Sequence, residues 1–316
     1  LQKMKVAFAL VSILAVALAV EDAMYAPAFA AWRVQYNRTY ANDVEANLRF
    51  EIFKDNVDKI NKHNAEGHTY TMGLNQFADM TQHEFSSKML GYKPRSADYV
   101  SPRVHTYNGE KLAASVNWIT KGAVTGVKNQ GQCGSCWAFS TCAGVEGAYQ
   151  LAGHTLTSMA PQELVDCDKV DQGCNGGLMD NGFKYIEANG ICNWNDYTYT
   201  ARDGTCKKSS CTAVTKISGY TDVQQGSEDA LASAANKAPI SIACDAEPWQ
   251  FYSGGIFSKN CGTQLDHGIL AAGYQSGSYW LVKNSWGTSW GESGYIRLAY
   301  GTNECGLANA ASYPQI

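Results

Sequence analysis

The chain opens on an apolar run, Val6 to Val20, interrupted only by Ser12, with Lys3 and Lys5 ahead of it and Glu21-Asp22 directly behind. Basic residues, a short apolar stretch and the small-residue pattern Ala17-Leu18-Ala19 make the layout of a secretory signal peptide over residues 1–19. Met4 is the natural start of such a signal. The run is short of a bilayer span and acidic residues follow it at once, so a membrane anchor is not expected. No other stretch is apolar enough to cross a membrane.

The pattern then changes to steps of three and four. Glu45, Arg49, Phe53, Asn56, Ile60 and Asn64 fall on one face of a long helix. Glu45 and Arg49 stand at the i,i+4 spacing of an ion pair. Alternation in "TYTMGLNQFADMT" predicts an extended segment, and a short helix opens near Thr81. Polar residues with Pro94 and Pro102 mark a linker from about Tyr92 to Lys111. Beyond Leu112 comes a predicted buried helix from Ser135 to Gly153, with Ser135 as its cap. "SMAPQELVDCD" predicts a second helix with Pro161 in its first turn, and "GLMDNGFKYIEANG" a third closed by Gly190. After about Ser210, β-branched and aromatic runs alternate with Gly and Asn/Ser turns: "AVTKISGYTDV", "APISIACDA", "HGILAAGYQ", "SYWLVKNSW" and "GYIRLAY". Helices first and strands afterwards predict an α+β body of two subdomains, helical over about 121–212 and β-rich over about 213–308.

Composition adds limits. Of 316 residues, 45% are hydrophobic and 17% charged, which suits a folded core. A net charge of −4 with scattered basic residues gives no reason to expect nucleic-acid binding. Eleven cysteines in a secreted chain imply disulfides, and the odd count leaves at least one thiol over.

Cys133 and Cys136 form a C-x-x-C within "NQGQCGSCWAFS". Three chemistries use that spacing: half a zinc site, a redox dithiol, or a structural cysteine beside a nucleophile. Zinc needs a second ligand pair, but there is no other C-x-x-C, and the six histidines offer no H-x-x-x-H. A redox dithiol follows a strand, whereas "KGAVTGVKNQGQ" is broken by glycines. A nucleophile needs a histidine and an orienting side chain far downstream. His267 and Asn284 lie 131 and 148 residues after Cys136, the spacing of the papain and cathepsin signature.

On "NQGQCGSCWAFS", "GCNGGLMD", "LDHGILAAGY" and "VKNSWGTSWGESGYIRL", taken in order, the chain resembles the papain family of cysteine proteases, and within it the cathepsin L-like members. The leading zone resembles the family's inhibitory propeptide, through the Glu45-to-Asn64 helix face and through Gly73, Asn75, Phe77 and Asp79. The resemblance implies a signal peptide over 1–19, a propeptide over 20–111 and a papain-like peptidase domain over 112–316, whose two subdomains flank a cleft. It implies a cysteine endopeptidase made as an autoinhibited zymogen, with Cys136 as nucleophile and His267 as its partner. Asn284 would orient the imidazole, and Gln130 with the Cys136 backbone N–H would hold the oxyanion. The first turn of a helix and a facing imidazolium are expected to lower the Cys136 pKa into a thiolate–imidazolium pair. Trp286 would shield the Asn284–His267 bond from water.

By the same resemblance Cys133 pairs with Cys174, Cys167 with Cys206, and Cys261 with Cys305. Cys192 and Cys211 are placed to form a fourth bridge, and Cys142 and Cys244 read as core residues. The pocket for the second residue before the scissile bond matches Leu178, Met179, Ala243, Leu265, Gly268 and Ala310, apolar or small positions suited to Phe, Leu or Val. Gly176 and Gly177 expose backbone for an extended peptide, and Asp266 and Trp286 complete the substrate-binding set. The propeptide is expected to run reversed through the cleft, to be released as acid protonates Glu45 and Asp79, and to be cut near Lys111 to Ala114.

The implied partners are peptide and protein substrates, the chain's own propeptide and cystatin-like inhibitors. No nucleic acid, membrane, cofactor or metal is expected, and the chain should be a monomer. The implied location is the secretory route, ending in a lysosome or vacuole or outside the cell. Asn117, Gly126 and Ala160-Pro161 depart from the family's usual residues and bear on loop geometry, not on the catalytic set. Asn37-Arg38-Thr39 is an N-glycosylation sequon in the removable segment. Two rivals remain: an inactive papain-like binding or storage protein, and an oxidoreductase using Cys133 and Cys136, which a Cys133–Cys174 disulfide would exclude.

Overall fold

A computed structural model describes residues 24–316; the apolar leader with its cleavage pattern lies outside the described residues. Residues 24–35 form helix α1, and Asp43–Ala65 form α2, whose cap Asn42 accepts the backbone N–H of Glu45. The expected face of α2 is used to read the backbone that follows it. Asn56 Nδ2 donates to the carbonyls of Ala78 and Met80 at 2.9 and 3.0 Å, and Asn64 bonds both N–H and C=O of Met72. Phe53 and Ile60 are buried, with Phe29 and Trp32 of α1 packed on Phe53. Arg49 does not pair with its i,i+4 neighbour. Its guanidinium forks onto Glu84 through two 2.8 Å bonds, because Glu84 presents both oxygens where the helices cross. Glu45 instead accepts Ala41 N–H at 2.8 Å. Glu84 belongs to α3 (Gln82–Met89), which opens at Thr81 with a reciprocal capping box. Of the extended stretch, only Tyr70–Met72 form a strand, β1.

The linker passes through a short strand β2 (Val104–His105), and β3 (Ser115–Asn117) follows. The helical part then contains α4 (Cys136–Leu151), α5 (Pro161–Cys167) and α6 (Met179–Asn189), the last closed by Gly190 at φ 80°. A helix apolar on all sides has to be buried, and α4 is buried from Cys136 through Gly147. Gly147 lies so near Pro239 that a Cβ would fall 2.5 Å from its ring. Ser135 stands at the cap position before α4 but makes no side-chain cap; its hydroxyl lies 2.6 Å from Tyr199 Oη instead.

The rest is mostly strand: β4 (Ile191–Cys192), β5 (Ala213–Thr215), β6 (Gly219–Val223), β7 (Ile240–Cys244), β8 (Tyr252–Phe257), β9 (His267–Gln275), β10 (Tyr279–Lys283), β11 (Tyr295–Ala299) and β12 (Ala311–Gln315). Seven of the strands follow one another in the main sheet in the order β8-β11-β10-β9-β7-β12-β6, with β1 beyond β8, β2 beyond β6, and β3 paired to β9. Three elements are not legible in the sequence pattern: α7 (Glu228–Ala235), β8 and β12. The β-rich part therefore contains a helix, and its strands run on to Gln315. Four disulfides join Cys133–Cys174, Cys167–Cys206, Cys192–Cys211 and Cys261–Cys305, leaving Cys136, Cys142 and Cys244 as buried free thiols.

Candidate active site

The site lies where the start of α4 meets the sheet. Cys136 is the first residue of α4, and the loop ahead of it is tied by Cys133–Cys174 and by a 2.9 Å bond from Gly134 N–H to the carbonyl of Cys174. With Cys133 in that bridge there is no dithiol, which removes the oxidoreductase reading. His267 starts β9, and Asn284 directly follows β10, the neighbouring strand in the sheet.

His267 Nε2 and Asn284 Oδ1 are 2.8 Å apart. The same Oδ1 accepts the backbone N–H of Ser285 at 2.7 Å, so Nε2 must be the donating nitrogen. Nδ1 is left buried without a partner, a free acceptor. Trp286 stacks on the imidazole with centroids 4.6 Å apart, and Trp249 meets it edge-on. Gln130 is wholly buried. Its Oε1 accepts Ser285 Oγ–H at 2.7 Å, and its Nε2 donates to the carbonyls of Cys133 and Met89, both at 2.9 Å. Backbone N–H groups of Gly268 (3.4 Å) and Gly91 face the Cys136 sulfur.

Met89 and Gly91 belong to the leading segment, which fills the cleft. Gly177 N–H donates to the Gly91 carbonyl at 2.9 Å, Lys93 N–H to the Gly177 carbonyl at 2.8 Å, and Tyr92 N–H to the Asp266 carbonyl at 2.8 Å. The Tyr92–Gly177 bridge is parallel. Tyr92 is buried in the apolar cluster that contains Leu178, Met179, Ala243 and Ala310, with Leu265 packed against it. Gly91 carries no side chain because a Cβ there would lie 1.9 Å from the Gly134 carbonyl oxygen. A Cβ on Gly176 would come within 2.6 Å of the Gly91 carbonyl oxygen, and one on Gly268 within 3.1 Å of Trp137 Cα. Phe77 and Phe85 cover Trp286 edge-on, at 5.7 and 5.2 Å between centroids. All fourteen site positions expected from the sequence thus gather along one cleft. Sequence reasoning missed Ser285, Tyr199, whose hydroxyl donates to the Gln130 carbonyl at 2.7 Å, and the residues of the segment that do the filling.

The electrostatics of the covered chain differ from those expected of the uncovered site. Burial pushes the Cys136 thiol up to about 11 and the His267 imidazole down to about 4. In the covered chain both groups are neutral. The segment removes water from thiol and ring together, and the helix terminus does not offset that loss. Asp266 is likewise raised to about 7, mainly by burial.

Two family models match the chain: "Papain family cysteine protease" over residues 112–315, and "Cathepsin propeptide inhibitor domain" over 29–85. A senescence-specific cysteine protease of Oryza sativa subsp. indica is 46% identical over 310 residues, covering 93% of this chain and 91% of that protein. Cathepsin L of Sarcophaga peregrina is 43% identical over 314 residues, covering 90% and 91%. Among solved structures, a recombinant stem bromelain precursor superposes with a TM-score of 0.86 at 38% identity, covering 92% of this chain and 98% of that one. Digestive procathepsin L 3 of the Tenebrio molitor larval midgut does so with 0.82 at 41%, covering 92% and 99%. The chain belongs to the papain family of cysteine proteases, a zymogen carrying its own propeptide inhibitor domain ahead of the peptidase domain.

Proposed function

We propose that peptide bonds are cleaved by Cys136, His267, Asn284 and Gln130 acting together once residues 20–111 have left the cleft. Water then reaches the thiol and the ring, the burial shifts relax, and a proton passes from Cys136 Sγ to His267 Nδ1, the free acceptor nitrogen. The thiolate adds to the scissile carbonyl. Gln130 Nε2 and the Cys136 N–H, at the open start of α4, hold the oxyanion. The imidazolium returns its proton to the leaving amine, and a water molecule hydrolyses the acyl-enzyme with His267 as base. Asn284 fixes the ring, and Trp286 keeps water from their bond.

One observation carries this reading: the Met89 carbonyl sits on Gln130 Nε2 while Tyr92 fills the apolar pocket. In a substrate the pocket residue precedes the carbonyl held in the oxyanion site. Here it follows, so the segment occupies the same groove backwards. The wide apolar pocket suits a bulky apolar or aromatic residue second before the scissile bond. No helix among the described residues is long and apolar enough to cross a membrane. The amino-terminal pattern favours delivery through the secretory route to a lysosome, vacuole or the exterior, and the proposed form is a monomer open to cystatin-like inhibitors.

The test is hydrolysis of a fluorogenic peptide with Phe at that second position, using acid-processed, reduced protein. Activity should vanish in Cys136→Ser and His267→Ala, and a peptidyl epoxide should block one thiol, Cys136. Full activity in Cys136→Ser would overturn the assignment.

A further inference from the structure

Two carboxyl groups beside the cleft have no part in this chemistry. Asp168, 4% exposed, follows α5, and its Oδ1 accepts Val170 N–H at 2.9 Å. Asp171 Oδ1 accepts the backbone N–H of Leu178 at 3.1 Å and Asn181 Nδ2 at 3.0 Å. The second oxygen of each, Oδ2, is buried and has no N–H or O–H donor, while the two side chains are within hydrogen-bonding reach of each other. Two such oxygens repel when both groups are ionised. A single proton between them satisfies both. Asp171 also packs directly under the substrate edge: a Cβ on Gly177 would lie 2.7 Å from its Cγ.

We propose that Asp168 and Asp171 form a proton-sharing acid pair that positions the Gly177–Leu178 backbone for pairing with an extended peptide. The inference rests on Gly177 being the edge that pairs with substrate, as proposed above. Asp171 grips Leu178 N–H, and Asp168 holds Asp171 in place through the shared proton, so loss of that proton pushes the two apart and lets the edge move.

The surroundings offer little to replace the proton. Lys169 favours the charged form of Asp168 from nearby, but its Nζ donates to the Asp166 carbonyl at 2.5 Å. Asp203 holds Cys174 N–H on the neighbouring turn. Tyr185, from α6, donates to Glu163. Lys93, Asp98 and Lys184 line the groove over Asp171, and the first two leave with the propeptide. Burial and the Asp168 charge raise Asp171 to about 7 in the covered chain, so its proton is kept in acid and lost as pH rises through that value. Solvent entering the uncovered groove lowers the point of loss.

The experiment follows KM and kcat of the processed enzyme across the acid-to-alkaline range, after counting active sites with the epoxide so that a dead enzyme is recognised separately. Above the point of proton loss the wild-type KM should rise by up to about tenfold per pH unit with kcat unchanged, because only the singly protonated fraction binds. Asp171→Asn keeps an acceptor for Leu178 N–H and supplies a permanent donor to Asp168, so its KM should stay low throughout. Asp168→Asn should do the same from the other side. Asp171→Ala should raise KM severalfold at every pH. Independently of activity, the full-length Cys136→Ser chain should show a protonated-carboxyl infrared band that either asparagine variant removes. A KM–pH profile of Asp171→Asn that superimposes on wild type, or a band unchanged by both variants, would overturn the proposal.

Discussion

Glu84 joins α2 to α3 in the inhibitory segment, and replacing it with glutamine isolates its charge. The Arg49 fork, ahead of the Thr81 cap, holds Glu84 at about 2, against 4.5 for an ordinary glutamate. That depression is equivalent to at most about 3 kcal/mol. The Glu84 side chain is 28% exposed, so solvent screening reduces the figure to about 1–2 kcal/mol. A depressed carboxylate stabilises the fold fully above its unfolded value near 4.5, and the contribution is lost as pH falls toward about 2. About a quarter is gone by pH 4 and over half by pH 3. Glutamine keeps an oxygen for the Thr81 backbone N–H, so the helix cap survives. The assay is hydrogen exchange of residues 43–89 in the full-length Cys136→Ser chain, which cannot process itself. Glu84→Gln should cost about 1–2 kcal/mol of opening free energy at pH 7 and less than half of that at pH 3. An equal loss at both pH values would mean that packing, not charge, holds α2 to α3. No loss at pH 7 would mean that the fork is idle. The carboxylate that joins α2 to α3 by an ion pair is thus Glu84, whereas Glu45 accepts Ala41 N–H and Asp79 lies 3.8 Å from Arg38.

Other consequences are open to measurement. Arg95 bonds Asp180 at 2.7 Å and Asp222 at 2.5 Å, and both carboxylates are almost wholly buried. Arg95→Ala should weaken docking of the segment by about 3 kcal/mol, seen as faster exchange and cleavage around residues 92–104; unchanged protection would refute it. Gly91→Ala drives a methyl into the Gly134 carbonyl and should release the segment's grip on the cleft, seen as peptide hydrolysis by unprocessed chain. With the thiol at about 11, only about one Cys136 in ten thousand is ionised at pH 7. Alkylation of Cys136 should therefore be negligible in the precursor and rapid after processing, and equal rates would show that the segment leaves the thiol's environment unchanged.

What could be read in advance depended on how local each signal was. The α2 face was legible because six residues repeat at helical steps. Cys136, His267 and Asn284 were legible because reactive side chains stood at a known spacing. Gln130 and three of the disulfides came from family resemblance, since no local pattern specifies a partner across the fold. α7 escaped because four of its six buried residues, Ala230 to Ala235, are alanine and show no apolar stripe. β8 escaped because Gly254 and Gly255 interrupt it. Ser135 reads as a cap, but its hydroxyl is claimed by Tyr199, a contact 64 residues away in the chain. The neutral state of thiol and imidazole was invisible for a similar reason: the sequence places Cys136 at a helix start, but not the leading segment that lies across it.

The sheet has a further property that matters only when the precursor is cut. Its two outermost strands, β1 and β2, both lie in the 20–111 segment, beyond β8 on one side and β6 on the other. If processing removes the segment as proposed, each flank of the main sheet is closed in the newly folded protein by a strand that is later discarded. Processing bares the backbone of β8 and β6 together, and an unpaired strand is a template for pairing with another chain. The β8 flank is poorly suited to that. Gly255 sits at φ 93°, a backbone that L side chains rarely adopt, so a second copy finds a bent, uneven margin. The β6 flank is short, with a charged residue at Asp222. Maturation thus exchanges two covered margins for two that resist stacking, and the enzyme can shed its inhibitor without becoming a seed for its own precipitation.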